Sequence, residues 1–459
     1  MIRYGGCMEA HRTVSRRAFA LGAVGVLAAC SSTNNDPTTT TSGPEAAGGG
    51  LGPVPEFTGK LAPLVEGVTV PPDLPVTAPT LFRGVRLFDG EEVTEAADVI
   101  LQGGLVAAVG AGLDEPDGVE VVDGAGHTLV PGMIDSHVHA FPQAQALAAR
   151  FGVLTELDLF SVEGLSTQVD EQRTTGATDR ADVFSATSMA TAPDGHGTQF
   201  RVPIDTLTDP SQAVGWVEER VAEGAAYIKI VVESGFGWAS LEQDTVAALV
   251  EAAHEHSLRA IIHAQSLEDT TIALSAPLDG LAHAPWDELP PDLVARIAEM
   301  GIFVVTTAGL AQPTRHKPAL DDDRVMDRID PGLLSSFRRA SYATDATWAA
   351  MLPNLQALHS AGVSLLAGTD NSNPGTISGA GMLVELAILV EAGMTPVEAM
   401  ASATSLPADT FGLADRGRIA EGLRGDVVLI EGDPTAEITD LHGVVGVWKW
   451  GVSVDLDVA

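Results

Sequence analysis

The sequence predicts an α/β fold, a (β/α)8 TIM barrel with a small β-sandwich domain built from both ends of the chain. Eight apolar, strand-length segments follow one another between residues 129 and 371. Helical patterns that begin at prolines or capping residues separate most of them. Short strand patterns without helices flank the series on both sides. Apolar strands that alternate with helices are typical of a parallel barrel whose strands are buried on both faces.

The first 29 residues are predicted to be a bacterial export signal. Ser15, Arg16 and Arg17 precede an apolar run that is too short to span a bilayer and that ends at Cys30. The pattern resembles a twin-arginine signal joined to a lipobox, in which Cys30 is lipidated and becomes the mature N-terminus. We therefore expect a protein exported to the outer face of a bacterial cell membrane, periplasmic or extracellular, translated from Met1 or Met8. An ordinary N-terminal helix is the alternative.

Two segments with little helical pattern lead into the barrel. Residues 30–75 are rich in Ser, Thr, Pro and Gly, so we expect a disordered tether that buries little apolar surface. Residues 76–130 hold short apolar segments, and Gly103-Gly104 suits a two-residue hairpin turn. Residues 411–459 return to short strands and are expected to complete the same β-sandwich.

The barrel itself is predicted over residues 131–410. Its first strand follows the approach LVPGMID, which is apolar because both of its faces are expected to be buried. A long polar insertion, residues 312–350, follows the seventh strand. Because barrel active sites form at the C-terminal ends of the strands, this insertion is expected to cover the site.

The composition limits the partners of the chain. With 25 Lys+Arg against 62 Asp+Glu, the formal net charge is -37. Such a surface repels phosphate backbones, so we expect no nucleic acid partner. The expected partners are a small-molecule substrate and, through the N-terminal lipid only, the membrane; a homo-oligomer is left open. The two cysteines, Cys7 and Cys30, leave no disulfide in the mature chain.

Metal-capable side chains recur at the C-terminal ends of five predicted barrel strands. Residues that alternate along a strand point to the same side, so the two histidines of the first strand form a pair. Each of these side chains alone has an ordinary structural explanation, as a satisfied histidine, an ion-pair partner or a helix cap. Barrel geometry would bring them all to one mouth, and that coincidence indicates a metal site. The residues are His137, His139, Lys229, His263, His283 and Asp370.

Lys229 needs a chemical explanation, because an ammonium group repels a cation. Burial lowers the pKa of a lysine, and the neutral amine can then react with carbon dioxide to form a carbamate. This carboxylated lysine is an anion on a long arm, and it can bridge two divalent ions.

These residues and their surroundings resemble the amidohydrolase superfamily, of the subtype with a binuclear metal centre and a carboxylated lysine. The resemblance covers roughly residues 80–459, and three further segments are similar to its imidazolonepropionase-related, prolidase-like (Xaa-Pro dipeptidase-like) branch. The motifs are PGMIDSHVHA, IKI, IIHAQS, LAHAP, GTDN and GLADRGRIAEGLRGDVVLIEGDP, and the further segments are AYIKIVVESG, TAPDGHGTQF and GMLVELAILVEAGMTPVEAMASAT.

The resemblance implies a division of the ligands between two ions. His137, His139 and Asp370 would hold one ion, His263 and His283 the other, and carboxylated Lys229 would bridge them. Zinc is the expected ion, because imidazole and carboxylate ligands with an open position suit hydrolytic zinc.

The expected activity is hydrolysis of the C–N (amide) bond of a small substrate, such as a dipeptide or an N-acyl amino acid. Two ions that share a water lower its pKa enough to yield hydroxide near neutral pH. The hydroxide attacks the carbonyl, and Asp370 serves as the general base that passes the proton to the leaving amine. His196, in the loop after the third strand, could orient the substrate or could only stabilise its loop.

Other functions remain open at this point. Ester or lactone hydrolysis would use the same site. A lipid-anchored solute-binding protein would share the anchor and the tether, but it would have two hinged lobes and no use for six metal ligands. A serine hydrolase is disfavoured because the chain has no Gly-x-Ser-x-Gly motif.

Overall fold

The computed structural model describes residues 52–161, 165–313, 317–338 and 343–457. The predicted export signal, the predicted lipid anchor Cys30 and the first part of the expected tether lie outside these residues. None of the helices in the described part of the chain combines the length and the apolar composition that a bilayer crossing requires.

One sheet contains strands from both ends of the described chain. Its order is β17-β16-β15-β5-β1-β2-β3, and β4 also pairs with β1. Antiparallel pairing of β5 with β15 joins the early strands to the late ones. The hairpin at Gly103-Gly104 is confirmed, since β2 and β3 flank these two residues. The strands are β1 Thr80–Phe88, β2 Val93–Gln102, β3 Leu105–Gly110, β4 Glu120–Asp123, β5 His127–Pro131, β15 Val427–Glu431, β16 Val444–Lys449 and β17 Val452–Ser453. These strands form a single hydrogen-bonded sheet, so the expected sandwich of two sheets stays a prediction.

The remaining strands are parallel and form two sheets, β6-β7-β8 and β14-β13-β12-β11-β10-β9. Each of the eight predicted barrel segments contains at least one of them, and the third segment contains both β8 and β9. Among the residues that the structure describes, ladder pairing is not continuous around a ring, but the Ser136 N–H donates to the Ala367 carbonyl at 3.0 Å. A parallel bridge also joins Val138 to Asn371. The strands are β6 Met133–Val138, β7 Val153–Asp158, β8 Asp182–Ser185, β9 Met189–Ala190, β10 Ile228–Val231, β11 Ala260–His263, β12 Gly280–Leu281, β13 Phe303–Val305 and β14 Ser364–Leu366.

Helices alternate with the parallel strands, as predicted. The insertion after β13 is helical in its described parts. The helices are α1 Pro142–Arg150, α2 Leu165–Thr174, α3 Ala213–Ala222, α4 Gln243–Glu255, α5 Leu267–Ala273, α6 Pro291–Met300, α7 Ala308–Ala311, α8 Asp323–Met326, α9 Pro331–Phe337, α10 Asp345–Ser360, α11 Ala380–Glu391, α12 Pro396–Ala401 and α13 Ser405–Phe411. Short 3-10 helices cover Thr198–Phe200, Pro210–Gln212, Gly235–Gly237, Pro318–Asp321 and Ile438–His442.

The parallel strands enclose a core of fully buried side chains, among them Ile134, Leu157, Ile261, Val305 and Leu366. Short strands buried on both faces explain why their sequences are apolar without alternation. The core fixes the strands, and the polar residues that follow them are held at the strand ends.

A disordered tether was expected over residues 30–75, whereas residues within 57–65 of the described chain contact the folded body. The N–H groups of Leu64 and Val65 donate to the carbonyls of Phe411 and Gly412 at 3.0 and 2.9 Å. The ring of Phe57 stacks on His254 with centroids 3.7 Å apart. The prediction rested on the high content of polar residues. It did not take into account that apolar side chains within residues 52–65 pack against the folded body.

A buried ion cluster connects the parallel strands to the mixed sheet. Asp182, on β8, accepts from Lys449 Nζ at 2.6 Å, from Arg424 at 2.7 Å and from Arg416 at 2.8 Å. All four side chains are at most 5% exposed. Three cations therefore surround one carboxylate in a region with little access for water.

Candidate metal centre

The structure brings the six predicted ligands together at the C-terminal ends of the parallel strands. His137 lies in β6, Lys229 in β10 and His263 at the end of β11. Each of these residues is buried, as are His283 and Asp370. The side chain of His139 is 31% exposed, which leaves the centre open on one side.

Ligand atoms of the two predicted ion positions lie close to one another. One nitrogen or oxygen from each of His137, His283 and Asp370 lies within 4.8 Å of the other two. Asp370 Oδ1 is 3.3 Å from His137 Nε2 and 2.9 Å from His139 Nε2. Tetrahedral zinc with nitrogen and oxygen ligands would separate its ligand atoms by about 3.3 Å. The spacing therefore suits a metal ion.

The contacts of Asp370 are not ordinary hydrogen bonds. In the described chain, neither His137 Nε2 nor Asp370 Oδ1, both buried, makes a hydrogen bond of normal geometry, although Oδ1 contacts the Nε2 atoms of His137 and His139. Buried polar atoms without partners are uncommon in native proteins, because each one costs its solvation free energy. Atoms that converge on one point without donating to one another are typical of ligands around a cation.

Each of the four histidines fixes its other ring nitrogen on a separate partner. His137 Nδ1 is 2.9 Å from the Ala282 carbonyl oxygen, and His139 Nδ1 is 3.3 Å from that of Phe160. His263 Nε2 is 3.1 Å from a Glu233 carboxylate oxygen, and His283 Nδ1 is 2.9 Å from the Thr307 hydroxyl. An imidazole that donates outward presents a lone pair inward, which is the usual arrangement of metal-binding histidines. The inward nitrogens of His263 and His283 lie 2.9 Å apart.

Burial keeps most of this centre uncharged. It lowers the pKa of His137 and of His283 well below the ordinary value, and that of His263 to about 3. His139 differs, because its contact with Asp370 outweighs burial and raises its pKa. Burial also lowers the pKa of Lys229 to about 7. The lysine amine is therefore substantially neutral near physiological pH, as reaction with carbon dioxide requires.

Asp370 is held in an unusual backbone conformation. Its φ is +49°, in the left-handed region that non-glycine residues rarely adopt. Burial acts to raise the pKa of Asp370, but His137, His139 and Lys229 outweigh burial and hold the pKa below its usual range. Asp370 is thus an anion at neutral pH, and its strained position is consistent with a functional role.

His196 is also near the centre. Its ring centroid lies 4.8 Å from that of His263 and 4.7 Å from that of Trp238. Its Nδ1 is buried and has no hydrogen-bond partner, and burial lowers its pKa to about 3. Its backbone carbonyl accepts from the Thr191 hydroxyl at 2.9 Å, which stabilises the loop. The backbone of His196 therefore stabilises the loop, and its neutral ring is left to interact with a substrate at the site.

The insertion after β13 reaches toward the same centre. Buried Lys317 donates from Nζ to the carbonyl of Gly375, in the loop that follows Asp370. This contact supports the expectation that the insertion covers the mouth.

Sequence reasoning missed three side chains that hold the ligands. Glu233 follows Lys229 by four residues. On an extended segment, residues with this spacing share a face, so the sequence could have predicted that Glu233 lies on the same side as Lys229. Thr307, with a φ of +43°, has no sequence signal of this kind. Buried Asp158 accepts from the Ser185 hydroxyl at 2.5 Å and from the Ala140 N–H at 2.9 Å, beside His139.

Comparison with known proteins identifies the family of this chain. Residues 128–454 match the model of the amidohydrolase family. An imidazolonepropionase from Streptomyces griseus is 26% identical over 415 residues, covering 82% of this chain and 96% of the relative. The crystal structure of a Xaa-Pro dipeptidase with bound methionine in the active site has a TM-score of 0.67 at 20% identity, covering 82% of this chain and 100% of its own.

A second solved structure, of a putative prolidase from Bifidobacterium longum, has the same TM-score of 0.67 at 21% identity and covers 83% of this chain and 95% of its own. Both structures show a shared α/β fold of the TIM-barrel type. The family match spans most of the described chain, including all six candidate ligands. The chain belongs to the amidohydrolase family.

Proposed function

We propose that this protein is a binuclear metal-dependent hydrolase that cleaves the amide bond of a small substrate, such as a dipeptide or an N-acyl amino acid. The observation that carries the proposal is the set of four histidines whose outer nitrogens are fixed, and whose inner nitrogens converge with Asp370 and Lys229. A solute-binding protein would gain nothing from such a set.

The residues present suit two divalent ions, with zinc as the expected metal. His137, His139 and Asp370 would hold one ion, His263 and His283 the other, and carboxylated Lys229 would bridge them. When bound, such ions polarise a carbonyl group and lower the pKa of water. The unpartnered His137 Nε2 and Asp370 Oδ1 support this assignment, because a metal would satisfy both.

The chain's own residues would carry the proton transfer. Asp370 is an anion at neutral pH, so it can accept a proton from the attacking water and deliver it to the leaving amine. The neutral ring of His196 can hydrogen-bond the substrate through Nδ1, because its backbone rather than this nitrogen stabilises the loop. Trp238 packs against that ring and restricts its orientation.

The amide substrate is favoured by the names of the similar proteins, which include an imidazolonepropionase and a Xaa-Pro dipeptidase. Ester or lactone hydrolysis is the second candidate, since the same site would attack either carbonyl. The test is a panel of dipeptides, N-acyl amino acids and lactones, assayed with protein reconstituted with zinc and bicarbonate. Turnover of dipeptides or N-acyl amino acids supports the proposal. Turnover of lactones alone would contradict the amide assignment.

We also propose that the parallel strands close into a (β/α)8 barrel. The Ser136–Ala367 hydrogen bond and the Val138–Asn371 bridge support closure, because they join β6 to the residues that follow the end of β14. A crystal structure with β6 and β14 in regular parallel pairing would bear this out, and a gap between them would contradict it.

Export and lipid anchoring at Cys30 are a further part of the proposal, supported by the sequence pattern alone. Expression of the full chain in a bacterium should place the protein in the detergent-extractable membrane fraction. Cys30→Ala should shift it to the soluble or secreted fraction. An unchanged distribution in that variant would contradict the anchor.

A further inference from the structure

We propose that Glu233 is a positioning residue that supplies the negative charge behind His263, so that the ion held by His263 and His283 depends on it. The inference rests on the proposed binuclear centre and deepens it, because it predicts that one of the two ions is lost selectively when Glu233 is changed.

Glu233 is fixed independently of His263. One carboxylate oxygen accepts from the Gly235 N–H at 2.8 Å, while the other lies 3.1 Å from His263 Nε2. The Glu233 N–H donates to the Ser240 hydroxyl at 3.1 Å, which ties down the backbone. A Cβ on residue 235 would lie 2.5 Å from the first oxygen, so glycine leaves the room that the carboxylate uses. With the residue only 3% exposed, the carboxylate cannot swing into solvent.

This arrangement determines which nitrogen of His263 is available. Because Nε2 faces a carboxylate, the proton of a neutral His263 ring belongs on Nε2. The lone pair of Nδ1 then points toward His283 Nε2, 2.9 Å away, where the ion would lie.

The outer partners of the four histidines are unequal in charge. His137 and His139 face backbone carbonyls, and His283 faces a hydroxyl. In the described chain, His263 is the one among the four whose outer nitrogen faces a carboxylate. The ion held with Asp370 has a carboxylate ligand, whereas His263 and His283 form a neutral pair. Glu233 therefore supplies negative charge to the ion position at His263 and His283, as Asp370 does to the other ion position. A carboxylate that accepts from the outer nitrogen of an imidazole makes that imidazole a stronger metal ligand.

The test measures metal content, and it does not depend on activity. Full-length wild type, Glu233→Gln and Glu233→Ala are reconstituted with zinc and bicarbonate, dialysed against graded chelator and analysed for zinc per chain. Asp279→Asn is the matched control, since Asp279 is also a carboxylate 2.9 Å from an imidazole, that of His254, away from the centre.

The wild type and the control should retain two ions with the same affinities. Glu233→Ala should bind one ion about 10–100-fold more weakly and the other unchanged, which is the usual range for loss of such a partner. Glu233→Gln should also weaken binding at that same position, because the charge is gone and its one amide oxygen can accept from His263 Nε2 or from the Gly235 N–H but not from both.

Wild-type affinity for both ions in Glu233→Gln and Glu233→Ala would overturn the inference. If Glu233→Ala fails to fold, Glu233→Gln decides alone: selective loss supports the inference, and unchanged affinity overturns it. Equal weakening of both ions would also contradict it. A wild type that binds no zinc would instead overturn the proposed function, so the two failures are distinct.

Discussion

Replacing Asp370 by asparagine separates its two proposed roles, as a ligand and as a base. The amide oxygen of the introduced side chain can occupy the position of Oδ1, 3.3 Å from His137 Nε2 and 2.9 Å from His139 Nε2. The substitution keeps the volume of the side chain and removes its charge and its ability to accept a proton. Metal binding should therefore weaken modestly, while proton transfer should be lost.

The size of the effect follows from general base catalysis, which typically contributes about 10²–10⁴ in rate. At 1.36 kcal/mol for each factor of ten, this corresponds to about 2.7–5.4 kcal/mol in the activation barrier. The pKa of Asp370 lies below its usual range, and the pKa of His139 beside it is raised, so the wild-type base stays ionised across the neutral range. The loss in the variant should therefore not be recovered by raising the pH between about 6 and 9.

The assay is kcat for the best substrate of the panel, with zinc per chain measured on the same samples. Asp279→Asn is again the control, because it alters a comparable carboxylate beside His254. Asp370→Asn should lose at least two orders of magnitude in kcat with most of its zinc retained. Full activity with full zinc content would refute the role as base, and loss of zinc in proportion to activity would show that Asp370 acts as a ligand alone.

Three other predictions concern Lys229 and the ion cluster. The pKa of Lys229 is lowered to about 7, so the neutral fraction of its amine rises as the pH passes through 7. When zinc is added to the metal-free protein at fixed carbon dioxide pressure, the activity gained should therefore level off above about pH 8. A gain in activity that continues to rise to about pH 10 would contradict this prediction. Lys229→Ala should be inactive, and added short-chain carboxylic acids should restore part of its activity. If activity is not restored although the zinc content is full, the result would argue against a carboxylate bridge. Lys449→Met should lower the free energy of unfolding in urea by about 3–5 kcal/mol, because two arginines then remain for three buried carboxylates, those of Asp182, Asp415 and Asp426. Arg418→Met, which breaks a more exposed ion pair with Glu91, should change the free energy of unfolding by about 1 kcal/mol or less. Equal effects of the two substitutions would contradict the explanation by burial.

The position of the candidate site at the strand ends could be predicted from the sequence, because a parallel fold places the C-terminal ends of its strands together. His137, His139, Lys229, His263, His283 and Asp370 each follow or end an apolar run, and one topology brings all six to one mouth. The order of the parallel strands and the hairpin at Gly103-Gly104 depend on local signals of the same kind. These features needed only periodicity and the alternation of strands and helices.

The partners of these ligands depend on long-range packing, which the sequence does not display. Thr307 reaches His283 because a turn places it in the left-handed region, and buried Glu385, from helix α11, holds that turn by accepting from Ala308 and Gly309. Residues 52–65 were expected to be disordered on composition, yet their backbone finds partners such as Phe411 far along the chain. Contacts between distant segments decide both cases.

The most direct test of the binuclear centre is a crystal structure of the protein reconstituted with zinc and bicarbonate, with anomalous data collected at the zinc edge. The account predicts two anomalous peaks, one among His137, His139 and Asp370 and the other beside His263 and His283, with density for a carboxylated Lys229 between them. A single peak, or none at these residues, would contradict it.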